Sequence, residues 1–403
     1  MCGIYIHIPF CKQACSYCDF YFVTRDKLIP AFVDDLLFEI HSLPRYTSPG
    51  ATSDGLASPF PDDPVKTIYI GGGTPSRLSG SLIQKICQAL SEQFDLSALT
   101  EFTFEANPED VTQEKLALLK EAGITRLSMG VQSFQPELLK FMHRAHTAFQ
   151  AHHALKTVVD AGFDSFTVDL IYGCPGQTVK QVKNDIDQLL DYLPPHVSAY
   201  SLTIEPKTRL GKQAQLGRLV PAEDDIVASQ ARLIRNELTE KGLNRYEISN
   251  YAMTGHEARH NTAYWSHENY LGLGPAAHSF FWPDGAKWAR RWQHPPDLHA
   301  YRQRLYSPDF KPFMKPVSAG PDGLSETLSL KVLAGERLMT GLRTLRGIST
   351  NELARRYEYP LQQAQLRTIS ELRSGGFMEP DDPLRLTDKG FELADTITLR
   401  LML

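Results

Sequence analysis

Three cysteines near the start of the chain, Cys11, Cys15 and Cys18, have the spacing Cys-x3-Cys-x2-Cys. They directly follow an alternating apolar run that predicts a strand. Thiolates are soft ligands that suit zinc or an iron–sulfur cluster. A structural zinc site usually has four ligands, whereas Phe20 fills the fourth local position here. Three ligands on a four-iron cubane leave one iron open, so we expect an open [4Fe-4S] cluster. A zinc site with a distant fourth ligand is the alternative.

The composition is that of an ordinary globular protein: 42% of the 403 residues are hydrophobic and 22% are charged, which excludes wholesale disorder. The formal net charge of −5 argues against a nucleic-acid partner. No apolar stretch reaches the length of a membrane-spanning helix, so we expect a protein that is not integral to the membrane. The first ten residues lack the features of a secretory signal, and we therefore expect a cytoplasmic location.

Segments with strand-like and helix-like patterns alternate through the first half of the chain. The predicted strands cover residues 3–9, 66–70, 101–106, 126–131, 165–171 and 197–203. The predicted helices cover residues 30–40, 82–90, 115–122, 151–160 and 179–193. Strict alternation predicts parallel βαβ units and an α/β fold. Six such units would form a partial (β/α)6 barrel, with functional residues at the C-terminal ends of its strands.

Two stretches rich in Pro, Gly and Ser interrupt this pattern, and they predict a flexible loop at 44–64 and a linker at 306–323. We therefore expect a barrel with an extension over residues 1–320 and a small domain over 324–403.

In the small domain, helices are predicted at 326–342, 349–357 and 361–374, the second opened by a capping box of Ser349 and Glu352. A β-ribbon and a last helix capped at Thr387 complete a helical, winged-helix-like module. From residue 325 onward eleven basic residues balance eleven acidic ones, so we do not expect it to read DNA.

Polar or glycine residues stand where several predicted barrel strands end. A Gly-Gly-Gly-Thr-Pro segment at 71–75 follows the second strand, and backbone without Cβ can approach a ligand closely. Polar side chains also lie near the ends of strands three to five: Glu105, Gln132, Arg144 and Asp169. Each alone could make a structural hydrogen bond or a surface charge, but their shared position predicts contact with a ligand.

The cysteine spacing after the first barrel strand resembles the signature of the radical S-adenosylmethionine (SAM) superfamily. That resemblance implies that the open iron chelates the amino and carboxylate groups of SAM. It also implies that one electron cleaves SAM to methionine and a 5′-deoxyadenosyl radical.

A wider set of segments resembles the oxygen-independent coproporphyrinogen III oxidase family from residue 3 to about 210: HIPFC, GGGTPS, FEANPE, RLSMGVQSF, HRAHT, DLIYGCPGQT and SLTIEP. In that family the matching residues surround one or two SAM molecules. The resemblance thus implies a SAM-binding role for Tyr5, Tyr17, Gly72, Gly73, Thr74, Glu105, Gln132, Arg144 and Asp169. Cys174 departs from the more usual Leu, and we expect it to be buried, inert packing.

Two features set the chain apart from the true oxidases of that family, which have a fourth cysteine and a long stretch before the first strand. Here Phe20 stands at the fourth position, and only ten residues precede Cys11. Both departures speak against decarboxylation of coproporphyrinogen III, which remains the alternative function.

A later segment, His-Asn-x-x-Tyr-Trp at 260–265, resembles the marker of the HemW-type heme chaperone branch. That resemblance implies heme binding and delivery to acceptor hemoproteins such as those of respiration. Histidine is a natural axial ligand of heme iron and aromatic rings can cover a macrocycle, so His260 is our candidate for the heme site. Other residues compete for this role: His256, His267, His278 and Cys2.

Overall fold

The computed structural model describes residues 2–43, 64–307 and 324–402. The predicted loop at 44–64 and linker at 306–323 therefore lie almost entirely outside the described residues. The strands are β1 Cys2–Ile8, β2 Val65–Gly72, β3 Glu101–Ala106, β4 Arg126–Gln132, β5 Ser165–Tyr172, β6 His196–Ser201, β7 Asn244–Arg245, β8 Asn250–Ala252, β9 Asn269–Leu273, β10 His278–Phe281, β11 Trp288–Gln293 and β12 Ser325–Ser329.

The α-helices of the described residues connect and follow these strands. They are α1 Ile29–Ser42, α2 Gly80–Gln93, α3 Gln113–Glu121, α4 Pro136–Phe141, α5 Ala148–Asp160, α6 Val179–Leu190, α7 Arg209–Gln215, α8 Asp224–Glu240, α9 Arg259–Trp265, α10 Leu298–Leu305, α11 Leu330–Gly341, α12 Thr350–Arg356, α13 Gln363–Ser374, α14 Asp388–Phe391 and α15 Ala394–Met402. Among the described residues, none of these helices combines the length and the apolar character needed to cross a membrane.

One sheet contains every strand of the described residues, in the order β12-β11-β10-β9-β1-β2-β3-β4-β5-β6-β8-β7. Strands β1 to β6 lie in chain order and pair in parallel, with helices in the connections. The predicted partial (β/α)6 barrel is therefore confirmed. Strand β9 also pairs in parallel with β1, and antiparallel strands extend the sheet at both edges.

Strand β1 illustrates how the sequence builds two different faces of the sheet. Ile4, Ile6 and Ile8 are fully buried in the same core as Phe32 of α1. Burial of one such side chain contributes about 1.5–3 kcal/mol. Because successive side chains of a strand point to opposite faces, the residues between these isoleucines face the concave side. In β2 to β6 the same alternation puts mostly polar side chains there.

The C-terminal helices share a second core with the strands of the extension. Leu333 and Leu338 of α11 pack with Phe280 and Leu328 in this core. Isolated bridges from Met378 to Leu386 and from Ile348 to Leu384 form the predicted β-ribbon. Thr387 caps α14 as predicted, since its side chain accepts a hydrogen bond from the backbone N–H of Gly390. The domain boundary at 320–324 falls outside or at the limit of the described residues and stays a prediction.

Two details of the C-terminal prediction are wrong. The helix predicted from residue 326 begins at Leu330, because residues 325–329 form β12 and pair with β11. The predicted capping box does not form: Ser349 Oγ accepts from the backbone N–H of Asn351, whereas the Glu352 carboxylate pairs with the Arg337 guanidinium at 3.0 Å. In both cases a tertiary partner outweighs the local pattern.

Candidate functional site

The segment between β1 and α1 carries the three cysteines, and we call residues 9–25 the cysteine loop. The backbone N–H of Cys11 donates to the carbonyl of Val23, at an N···O distance of 3.0 Å. Ser16 donates twice to the segment after β4: its N–H to the Met142 carbonyl at 3.0 Å and its Oγ to the Phe141 carbonyl at 2.8 Å. These bonds hold the loop over the C-terminal ends of the barrel strands.

The thiol groups lie in polar but shielded surroundings. Thr74 Oγ1 donates to the Cys11 sulfur at 3.7 Å, and Arg144 Nη1 donates to the Cys15 sulfur at 3.3 Å. Burial raises the pKa of Cys11 to about 12 and also raises the pKa of Cys18. Buried thiols of this kind become thiolates when a bound metal displaces their protons. The donor set therefore fits a metal centre.

The cysteine loop borders a cavity of about 690 Å³ on the concave face, the first cavity. This volume lies within the range of about 300–1,000 Å³ that is usual for small-molecule sites. Eight of the nine residues predicted to bind SAM line it together with the three cysteines: Tyr17, Gly72, Gly73, Thr74, Glu105, Gln132, Arg144 and Asp169. The ninth, Tyr5, lines a neighbouring cavity instead.

Two buried carboxyl groups face the first cavity. Glu105 accepts a hydrogen bond from the Tyr69 hydroxyl at 2.6 Å and another from the Gly72 N–H at 3.0 Å. Asp169 accepts one from Ser128 Oγ at 3.2 Å. Burial raises the pKa of Glu105 to about 7 and that of Asp169 to about 6. A ligand that is positively charged or donates hydrogen bonds would stabilise the ionised forms of both groups.

The backbone around the first cavity leaves room for a bound group. A Cβ atom on Gly73 would lie 3.0 Å from the Cys11 sulfur and 2.9 Å from the Pro9 carbonyl carbon, so the close approach requires glycine. Gln132 follows an irregularity in the pairing of β4 and has a φ of +69°, which is unusual for a residue other than glycine. Such strained backbone clusters at functional sites.

Some buried polar atoms at the first cavity have no partner in the described residues. Arg144 Nη2 donates to the Asn107 side chain at 2.7 Å and to the Gly130 carbonyl at 2.8 Å, yet its Nε has no acceptor in the described part of the chain. Thr103 Oγ1 is also unpaired among those residues. Buried polar groups normally have partners. These atoms, the glycine segment and the three thiols fit a cluster with a polar ligand beside it.

A zinc site would bring its ligands together around a single ion. Within residues 2–43, 64–307 and 324–402, no three His, Cys, Asp or Glu side chains converge as the ligands of a single metal ion would. A cubane is bound differently, because each thiolate takes a different iron and the sulfur atoms lie further apart.

Several residues that line the first cavity were not predicted from the sequence. They are Tyr69, Thr103, Asn107, Ser128, Thr167, Ser198 and Tyr200. Most of them lie at alternate positions of β2 to β6, as Glu105 and Asp169 do. Counting back in steps of two from those carboxyl groups would therefore have found Thr103 and Thr167.

His260, the predicted heme residue, is not at the first cavity and is only 1% exposed. Its Nδ1 is hydrogen-bonded to Thr67 Oγ1 at 2.9 Å and its Nε2 to the Tyr264 hydroxyl at 2.8 Å. Burial lowers its pKa to about 3, so the ring is neutral. Both ring nitrogens are thus engaged, and iron ligation by His260 would require one of these bonds to open.

A second cavity, of about 680 Å³, adjoins the first. The Tyr5 ring in its wall stacks on the Tyr69 ring of the first cavity with centroids 6.0 Å apart, while Asp19 and Phe20 line both cavities. Two of the competing histidines, His267 and His278, line the second cavity. The side chain of Cys2 lies outside the described residues. Cys174, as predicted, is fully buried, and burial raises its thiol pKa to about 12.

Comparison with known sequences supports the assignment suggested by this geometry. The family model of the radical SAM superfamily matches residues 5–189, and that of the HemN C-terminal domain matches residues 328–393. The heme chaperone HemW of Lactococcus lactis is 33% identical over 401 residues, which cover 99% of this chain and 97% of that protein. The chain belongs to the HemW family.

Two further relatives extend the comparison. The heme chaperone HemW of Escherichia coli is 37% identical over 284 residues, or 70% of this chain and 71% of that protein. A mitochondrial radical S-adenosyl methionine domain-containing protein 1 of Danio rerio is 31% identical, with 100% and 87% of the two chains covered. Membership of the HemW family, within the radical SAM superfamily, implies a [4Fe-4S] cluster and SAM.

The fold has a counterpart among solved structures. The coproporphyrinogen III oxidase HemN from Escherichia coli superimposes with a TM-score of 0.77 over 99% of this chain and 89% of that chain. At 20% sequence identity this likeness concerns the fold, which HemN and the HemW family share.

Proposed function

We propose that this protein binds heme in the cytoplasm and delivers it to acceptor hemoproteins, such as those of respiration. A SAM-bound [4Fe-4S] cluster would support or regulate that transfer. The observation that carries the proposal is the similarity to a protein named as a heme chaperone over 99% of the chain. We do not propose a nucleic-acid partner.

The residues of the first cavity would hold the cluster and SAM. Cys11, Cys15 and Cys18 would bind three of the irons. Arg144 would keep the cysteine loop in register with the barrel, since it bonds both Cys15 and the Gly130 carbonyl of β4. The polar side chains that share this cavity would contact SAM. When bound, the cluster and SAM would supply the one-electron chemistry that cleaves SAM.

Phe20 supports a carrier role over oxidative decarboxylation. It stands where the oxidase pattern has a fourth cysteine, and its side chain is 72% exposed at the border of both cavities. A thiol associated with turnover is therefore absent from that position. The resemblance to HemN in fold does not by itself carry the activity of HemN.

The test uses the full chain, anaerobically reconstituted with iron and sulfide. One sample is titrated with heme and then mixed with a heme-free respiratory cytochrome; another is incubated with SAM, a reductant and coproporphyrinogen III. We expect saturable heme binding, heme transfer to the cytochrome and no protoporphyrinogen. Failure to bind heme, or formation of protoporphyrinogen, would overturn the proposal.

A further inference from the structure

Aromatic rings from four different elements form one wall of the second cavity. Tyr5 comes from β1, Tyr264 from α9, Tyr270 from β9 and Phe280 from β10. The centroids of Tyr264 and Tyr270 are 4.5 Å apart, and those of Tyr270 and Phe280 are 6.2 Å apart in a stacked arrangement. A wall of adjoining rings suits a flat, apolar, conjugated ligand.

The histidines at or beside this wall differ in how their ring nitrogens are used. His7 bonds the Tyr5 hydroxyl and the Tyr21 carbonyl, each at 3.0 Å. His267 bonds the Tyr357 hydroxyl at 3.1 Å and pairs with Glu336 at 3.3 Å. The ring of His260 is likewise engaged on both sides, as described above. These three histidines are therefore committed to protein partners.

His278 is the exception. It is the first residue of β10, it lines the second cavity, and its side chain is exposed. Within the described part of the chain neither of its ring nitrogens has a hydrogen-bond or ion-pair partner. Partial burial and the nearby Arg291 lower its pKa below the ordinary value, which favours the neutral ring. A neutral imidazole with a free nitrogen is the form that ligates iron.

His260 acts on the same wall through another residue. Its ring Nε2 is hydrogen-bonded to the Tyr264 hydroxyl at 2.8 Å, and its backbone N–H donates to the Glu101 carboxylate at 3.0 Å. The His-Asn-x-x-Tyr-Trp segment thereby fixes the Tyr264 ring, which faces the cavity. This contact gives the segment a role in positioning Tyr264. His260 itself is buried and does not line the second cavity.

On the basis of the proposed function, we propose that heme occupies the second cavity with His278 as an axial ligand of its iron, and that His260 is a positioning residue for Tyr264. The cavity volume of about 680 Å³ falls in the range of pockets that bury a ligand of this size class. The cargo would then lie directly beside the first cavity, across the shared residues Asp19 and Phe20.

The test compares His278→Ala, His278→Met and His260→Ala with wild type in the full, reconstituted chain titrated with heme. The control is His153→Ala, which removes an exposed histidine of α5 that does not line the second cavity. We expect His278→Ala to weaken heme binding at least about tenfold and to shift the Soret band. Added imidazole should restore the wild-type spectrum. His278→Met should give a sulfur-ligated spectrum, and His153→Ala should match wild type.

His260→Ala should weaken binding but keep the wild-type spectrum, because the ligand itself remains. If wild type binds heme and His278→Ala keeps both affinity and spectrum, the assignment of His278 is overturned and the proposed function stands. Loss of the spectrum in His260→Ala with rescue by imidazole would also overturn it. If wild type does not bind heme, the proposed function itself fails.

Discussion

The two cavities are nearly equal in volume, about 690 and 680 Å³, but they differ in how their polar and aromatic side chains are arranged. Carboxyl, hydroxyl and guanidinium groups line the first, and several of them form hydrogen bonds with one another, such as Tyr69 with Glu105 and Ser128 with Asp169. Tyrosine and phenylalanine rings dominate one wall of the second. The boundary between them is thin: the stacked pair of Tyr5 and Tyr69 and the shared residues Asp19 and Phe20.

The contrast follows from where each cavity obtains its residues. The first is built from consecutive βα units, so its side chains follow one another along the chain at strand ends. The second joins β1 to strands and helices more than 250 residues later, such as β9 and α9. One sheet thus offers two neighbouring sites whose ligands need have nothing in common.

The largest expected effect comes from removing the three cysteines, and it should be confined to the first cavity. Replacing Cys11, Cys15 and Cys18 together by Ala should abolish acid-labile sulfide and the iron–sulfur absorbance after anaerobic reconstitution, because no thiolate ligand remains in the cysteine loop. Heme affinity should stay at the wild-type value, since none of these cysteines lines the second cavity. Cys87→Ala, at a buried cysteine of α2, is the control and should retain full sulfide. Parallel loss of heme binding would show that the cavities are not independent.

A smaller effect, on the free energy of unfolding, is expected for the hydrogen bond between Thr67 and His260 beside the second cavity. Thr67→Val removes the partner of His260 Nδ1 and leaves that buried nitrogen unpaired, which costs about 1–3 kcal/mol of unfolding free energy. Urea denaturation measures the change. Thr100→Val serves as the control, because the Thr100 hydroxyl is exposed and its loss should cost less than about 0.5 kcal/mol. Equal losses in the two variants would contradict the role given to the Thr67–His260 bond.

The third effect concerns the pH dependence of the first cavity. Burial raises the pKa of Glu105 from 4.5 to about 7, so the folded protein binds more protons there than the unfolded chain. Stability should therefore fall as pH rises between these two values, by at most about 1.4 kcal/mol per pH unit for this group.

Glu105→Gln should flatten that fall in the SAM-free protein, as measured by urea midpoints from pH 5 to 8. It should not abolish the fall, because Asp169 shifts in the same direction. Glu114→Gln, at an exposed position of α3, should keep the wild-type slope. A wild-type slope in Glu105→Gln would contradict the burial of an ionisable group at this position.

Much of the fold was predictable because local patterns agree with the tertiary structure. The six barrel strands were found within one or two residues, since each is an apolar run of the right length between turn signals. β12 was mistaken for the start of a helix, because its pairing with β11 is decided by contacts distant in sequence. The short strands β7 and β8 carry too few residues to show a period.

The first cavity was largely predictable and the second was not. Glu105 and Asp169 stand at strand ends within distinctive motifs, and the parallel barrel brings strand ends together. No sequence pattern predicts that Tyr5 lies near Tyr270, however, because only the pairing of β9 with β1 brings the two residues together. The His-Asn-x-x-Tyr-Trp motif made His260 the candidate heme residue, but the burial of His260 and, among the described residues, the unpaired ring of His278 appear only in three dimensions.

The parallel pairing of β9 with β1 also has a consequence for the order of folding. During synthesis the first strand emerges early and can pair with β2, but its other edge gains a partner only when residues 269–273 have been made. Until then Cys2–Ile8 presents unpaired backbone groups along one side. The pairing of β9 with β1 therefore covers a strand edge that the earlier part of the chain does not cover.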